Sequence, residues 1–175
     1  MKQNIQTKEI TYSAMFLALA FVLPFFTGQI PQIGSMLCPM HFPILLCGYL
    51  CGGIWGAVVG FLAPLLRSMI LGMPIMFPSA ICMAFELATY GFVAGVLYRN
   101  LKQNKRYIYI SLILAMILGR LIWGMAMFIC LGLNSNKFGL TSFFTGAIAN
   151  AIPGIILQLI IIPVLVMIMS KNIAE

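Results

Sequence analysis

Four ionisable side chains sit where almost every neighbour in sequence is apolar: His41, Arg67, Glu86 and Arg120. An Arg, Lys or Asp at the centre of a membrane helix costs about 2.5–3.5 kcal/mol on insertion scales, so such residues are expected to face one another or a polar cavity. Two arginines and one glutamate do not balance. Once Glu86 has neutralised one guanidinium, the other is left without a protein partner and needs water or a ligand. A bound small molecule with an anionic or strongly polar group is the functional answer to that imbalance, and an Arg–Glu lock between helices is the structural one. His41 is either a ligand contact or a solvated residue at a helix mouth. Asn150 and Gln158, eight residues apart, share roughly one helix face; they either line the same cavity or bond a neighbouring helix. Trp123, Phe85 beside Glu86, and Tyr90 are aromatic residues that could contribute to such a site.

Other chemistry is missing. The chain has no phosphate-binding glycine loop, no His–Glu metal motif and no Ser or Cys nucleophile with a recognisable base, and it contains no Asp at all. It is therefore not expected to be an enzyme, to carry a cofactor or metal, or to bind nucleic acid, and any ATP-driven step must come from another chain. The five cysteines, Cys38, Cys47, Cys51, Cys82 and Cys130, lie mostly in apolar runs, where cysteine acts as a small hydrophobe.

The elements that hold the charged residues follow from composition. With 62% hydrophobic and 7% charged residues, against about 25% charged in soluble domains, the chain is an integral membrane protein. Its 175 residues allow about five to seven spans and form a single domain over 1–175. Lys2 and Lys8 precede an apolar run without a small-residue cleavage site, which reads as a retained first helix. Seven of the ten basic residues fall in three places, the N-terminus (Lys2, Lys8), the stretch "RNLKQNKR" (Arg99, Lys102, Lys105, Arg106) and the C-terminus (Lys171). The positive-inside rule makes all three cytoplasmic, so an even number of spans precedes the basic loop. The layout predicted is an all-α bundle of six transmembrane helices, at about 10–26, 40–51, 54–71, 78–97, 107–131 and 143–169, with both termini cytoplasmic. The second is short, at about 18 Å for twelve residues, and belongs inside the bundle. An alternative takes Gly48, Gly52, Gly56 and Gly60 as one small-residue stripe on a single continuous helix, with a broken half-span after it.

In this layout His41, Arg67, Glu86 and Arg120 all fall in the external half of the membrane or near its midplane, which describes a pocket open to the outside. The long "TGQIPQIGSMLCPMHFP" and the shorter "LGMPIMFP" are Gly- and Pro-punctuated yet partly apolar. They are either lids over that pocket or interfacial turns.

Two alanines one helical turn apart, Ala14 and Ala18 in "SAMFLALAF", leave a shallow notch on the first helix where another backbone can approach. With the AxxxA spacing, the six-helix plan and the short "HFPILLCGYLCGG" helix leading into "IWGAVVGFLAPLLRSMILG", the chain resembles the substrate-binding S components of energy-coupling factor (ECF) transporters. The resemblance implies a cell-membrane protein that captures a vitamin from outside. It implies docking through Ala14 and Ala18 onto a transmembrane T component that works with two ABC-type ATPases, and toppling in the membrane to release cargo inwards. Arg67, Glu86, Arg120, Asn150, His41 and Trp123 are the expected substrate contacts, with a pantothenate- or pyridoxine-like ligand in view. A stand-alone channel or secondary transporter, or a membrane assembly subunit, are the competing classes.

Overall fold

The computed structural model describes residues 2–26, 38–101, 105–132 and 152–174, with side chains for all of these except 2–6, 105, 132 and 170–174. Six helices make up the described residues: α1 (Lys2–Phe26), α2 (His41–Cys51), α3 (Gly53–Leu71), α4 (Ile81–Asn100), α5 (Lys105–Gly132) and α6 (Ile152–Ala174). A wide turn at Met76–Ala80, closed by the Ala80 N–H donating to the Ile75 carbonyl at 2.9 Å, leads directly into α4. All except α2 are long and apolar enough to cross a membrane. The predicted start of the last helix at 143, the polar stretch before it and most of the first long loop lie outside the described residues.

The chain breaks between α2 and α3 because Gly52 takes φ 101° and ψ 166°, a backbone region that only glycine enters freely. The hairpin is thus what forms, and the single continuous helix does not. Of the four glycines read as one stripe, Gly48 lies on α2, Gly52 in the break, and Gly56 and Gly60 on α3, and α4 fits against both helices. A methyl group added to Gly91 of α4 would land on the Gly56 backbone, and one on Gly95 would strike the Gly48 carbonyl and the Gly53 amide. From the other side, a methyl on Gly60 would meet the Leu87 carbonyl. Backbone meets backbone along this seam, the mode of contact that small residues permit in lipid, where apolar burial alone gives helices no reason to associate.

Helix α2 has nine of its eleven residues buried, as expected of a helix that is apolar all round. At about 16 Å it is shorter than a hydrocarbon core of about 30 Å, and it sits inside the bundle with α1, α3, α4 and α6 packed against it. Its tyrosine is met by a neighbouring helix. The Tyr49 hydroxyl lies 2.9 Å from Ser111 Oγ on α5 and donates to the Ile108 carbonyl at 3.2 Å.

Charges collect at one end. The Arg99 guanidinium at the end of α4 lies 3.1 Å from Glu9 near the start of α1 and donates to the Cys51 carbonyl at 3.0 Å, while the Trp55 indole donates to the other Glu9 oxygen at 3.1 Å. The start of α1, the α2–α3 break and the end of α4 are therefore neighbours, which puts Lys8 and Arg99 at the same end of the bundle, as the charge pattern requires.

Candidate functional site

Three helices bring a polar cluster together in the apolar interior. From α4 comes Glu86, with Tyr90 one turn further on; from α5 comes Arg120; and α2 contributes His41, its first residue. Glu86 lies thirteen residues from Arg99, and Arg120 fourteen residues from Arg106, so each stands about 20 Å along its helix from the basic end. Two separate helices thus carry opposite charges at one level, well within the apolar length of each.

Arg120 Nη1 approaches Glu86 Oε1 to 3.1 Å, and His41 Nε2 lies 3.6 Å from the same oxygen. The histidine ring packs edge-on against Tyr90, with ring centroids 5.1 Å apart. Arg120 Nη2 reaches Cys38 Sγ at 3.7 Å. Cys38 has φ 47°, unusual for a residue with a side chain, and its carbonyl accepts the His41 N–H at 3.0 Å to start α2. Held backbone of this kind concentrates at functional sites. Gly119 lets α5 close on α4 beside the pair, since a methyl there would press on the Tyr90 ring at 3.2 Å and the Glu86 carbonyl at 3.3 Å.

The cluster is paired but not saturated. Both ring nitrogens of His41, Glu86 Oε1 and Arg120 Nε are buried without a hydrogen-bond partner among the described residues. The Glu86–Arg120 approach is close in distance yet not aligned as a hydrogen bond, and 3.6 Å is too long for one to His41. A buried polar group left in this condition costs about 1–3 kcal/mol. Four converging on one spot is the arrangement expected of a site whose last partners come from a ligand or ordered water.

Arg67 has a different environment. It is buried on α3, donates Nε to the Met73 carbonyl at 3.2 Å and Nη1 to the Phe21 carbonyl at 3.0 Å, and sits 5.6 Å from the centre of the Phe25 ring. Among the described residues it has no ion pair; the leftover cation inferred from counting charges is met by backbone oxygens and an aromatic face. Trp123 is half-buried on α5 one turn beyond Arg120, and Gln158 is buried on α6. Asn150 lies outside the described residues. Ala14 and Ala18 are both exposed, on the face of α1 opposite buried Ser13, Phe16 and Ala20.

Cys38 and Gly119 were not legible as site residues from sequence. Their only signals are position: a cysteine three residues before the lone histidine, and a glycine directly before an intramembrane arginine.

Five membrane-length apolar helices around a short internal one, with charged groups enclosed between them, define a multi-pass helical membrane protein with an internal polar site. Residues 8–166 match the family model of the ECF transporter, substrate-specific component, and the chain belongs to that family. No curated protein and no solved structure matches the chain. The family is one of transport components that confer substrate specificity, not of enzymes.

Proposed function

We propose that the chain captures a small polar vitamin or vitamin-like metabolite between α2, α4 and α5, at the level of Glu86 and Arg120, for ATP-driven uptake. The carrying observation is the cluster of His41, Glu86 and Arg120 with four buried polar atoms lacking partners. Structural locks saturate their groups, whereas a receptor keeps some in reserve. Trp123 stands next to Arg120 on α5 and lies within reach of the same ligand by its place on the helix, and Asn150 remains a candidate contact. Arg67 positions the end of α1 against α3 through the Phe21 and Met73 carbonyls. Pantothenate- and pyridoxine-like molecules both carry the polar groups such a site takes.

The exposed Ala14–Ala18 notch is the proposed docking surface for the transmembrane T component, which acts with two ABC-type ATPases. The protein sits in the cell membrane with its termini and the 99–106 stretch in the cytoplasm, and the cluster, about 20 Å from that end, opens to the outside.

The test is thermal stabilisation of the purified chain by a panel of vitamins. A ligand at about one hundred times its Kd stabilises the folded state by about 2.7 kcal/mol. One panel member, or one chemical family of members, is expected to raise the melting temperature in the wild type and to raise it less in Glu86→Gln and Arg120→Gln. No response to any member would refute capture and return the cluster to a helix lock.

A further inference from the structure

We infer that the ligand of the His41–Glu86–Arg120 cluster is uncharged overall and presents a hydrogen-bond donor beside an acceptor, as an amide or a hydroxylated nitrogen ring does. The inference rests on the capture reading and narrows it. The surplus of one arginine over Glu86 points to an anionic or strongly polar group, but Arg67 stands apart from the cluster. Arg67 donates to the Met73 and Phe21 carbonyls and makes no ion pair among the described residues, and the only carboxylate in the cluster, Glu86, already faces Arg120 at 3.1 Å. The buried Glu86 and Arg120 together sum to zero charge.

A carboxylate ligand would bring a second negative charge to within a few ångströms of Glu86, whose side chain is 2% exposed. Attraction to Arg120 and repulsion from Glu86 would then largely cancel, leaving the cost of drying a charged group uncompensated. A cation meets the mirror image of the same problem at Arg120. The open valences point the same way. Arg120 Nε is a donor and Glu86 Oε1 an acceptor, and both lie open beside the two unpartnered ring nitrogens of His41. A partner able only to accept, such as a carboxylate, satisfies the donors and leaves the acceptors orphaned. A group that donates and accepts side by side satisfies both kinds.

The experiment measures affinity of the full chain in detergent at pH 8 for matched pairs that differ in a carboxylate: nicotinamide and nicotinate, pantothenol and pantothenate, pyridoxine and 4-pyridoxate, biotinamide and biotin. Riboflavin and thiamine are added as uncharged and cationic vitamins. The tightest ligand is expected to be uncharged and to bind about tenfold or more tighter than its carboxylate counterpart. In Glu86→Gln, assayed at low temperature well below its melting point, the site carries a net positive charge, and the carboxylate member is expected to gain about tenfold relative to its uncharged partner. A carboxylate that binds the wild type at least as well as its amide or alcohol, tightest binding by thiamine, or an unchanged ratio in Glu86→Gln would each overturn the inference while leaving capture intact. Absence of binding by every compound would overturn capture itself, and the inference with it.

Discussion

Removing one member of the Glu86–Arg120 pair should damage the fold more than removing both. At 3.1 Å and an effective dielectric constant near 20, the two charges attract by about 5 kcal/mol before desolvation is counted. Drying the pair offsets most of that gain, because the Glu86 side chain is 2% exposed and that of Arg120 17%. The intact pair is therefore nearly neutral for stability. A single Glu86→Gln or Arg120→Gln change keeps the desolvation cost of the surviving charge and loses the attraction, an expected loss of about 3–5 kcal/mol. For a chain of this size 3 kcal/mol corresponds to about 6–12 °C in melting temperature. The double variant Glu86→Gln/Arg120→Gln leaves two amides able to bond each other and should recover at least half of the larger single loss. A double-mutant cycle read by thermal melting in one fixed detergent, without ligand, measures all four states. Single variants that melt within about 2 °C of the wild type, or a double variant whose loss equals the sum of the singles, would show that the two charges are not coupled and refute the reasoning.

Ala14→Trp/Ala18→Trp should melt and bind ligand like the wild type, since both positions are exposed opposite the bundle-facing side of α1, yet fail to copurify with a T component and its ATPases; copurification at wild-type yield would remove the docking role. Gly91→Leu should yield little folded protein, because its side chain would be built into the Gly56 backbone, and overpacking of a tight core costs about 1–3 kcal/mol even where neighbours can shift; near-normal expression and melting would contradict the seam. Arg67→Gln should lower the melting temperature by leaving the Phe21 and Met73 carbonyls short of donors, while ligand affinity of the folded fraction stays within about threefold of the wild type; selective loss of affinity would move Arg67 into the site.

Hydrophobic runs and glycines make the six helices, and even the short α2, legible in the sequence, because a chain in lipid must satisfy its backbone within each helix. The turn at Gly52 was readable only as one of two choices. A stripe of glycines every four residues fits a continuous helix as well as a hairpin, and what decides is α4 packing on both halves through Gly91 and Gly95, a contact remote in sequence. For the site, the depth of Glu86 and Arg120 followed from counting residues inward from the basic ends. Which arginine meets Glu86 did not, since Arg67 and Arg120 are chemically identical and their separation turns on the Phe21 and Met73 carbonyls. Backbone oxygens as partners leave no trace in residue types. The strained Cys38 and the space given by Gly119 belong to the same class of fact.

The glycine seam between α4 and the α2–α3 hairpin also sets where motion can occur. Side-chain interfaces slide by swapping rotamers, each step small and cheap; a seam of bare backbone has no rotamers to swap, so it accepts one register and resists every intermediate. Helices α2, α3 and α4 thus move as one block, carrying His41 and Glu86 together. A rearrangement that admits the proposed ligand is therefore expected where side chains meet, as at Tyr49 against Ser111 and Arg120 against Glu86 on the α5 side, along the Phe16 and Ala20 face of α1, or against α6. Arg120, reaching across from α5, is then the part of the cluster that can come and go while the rest of it keeps its shape.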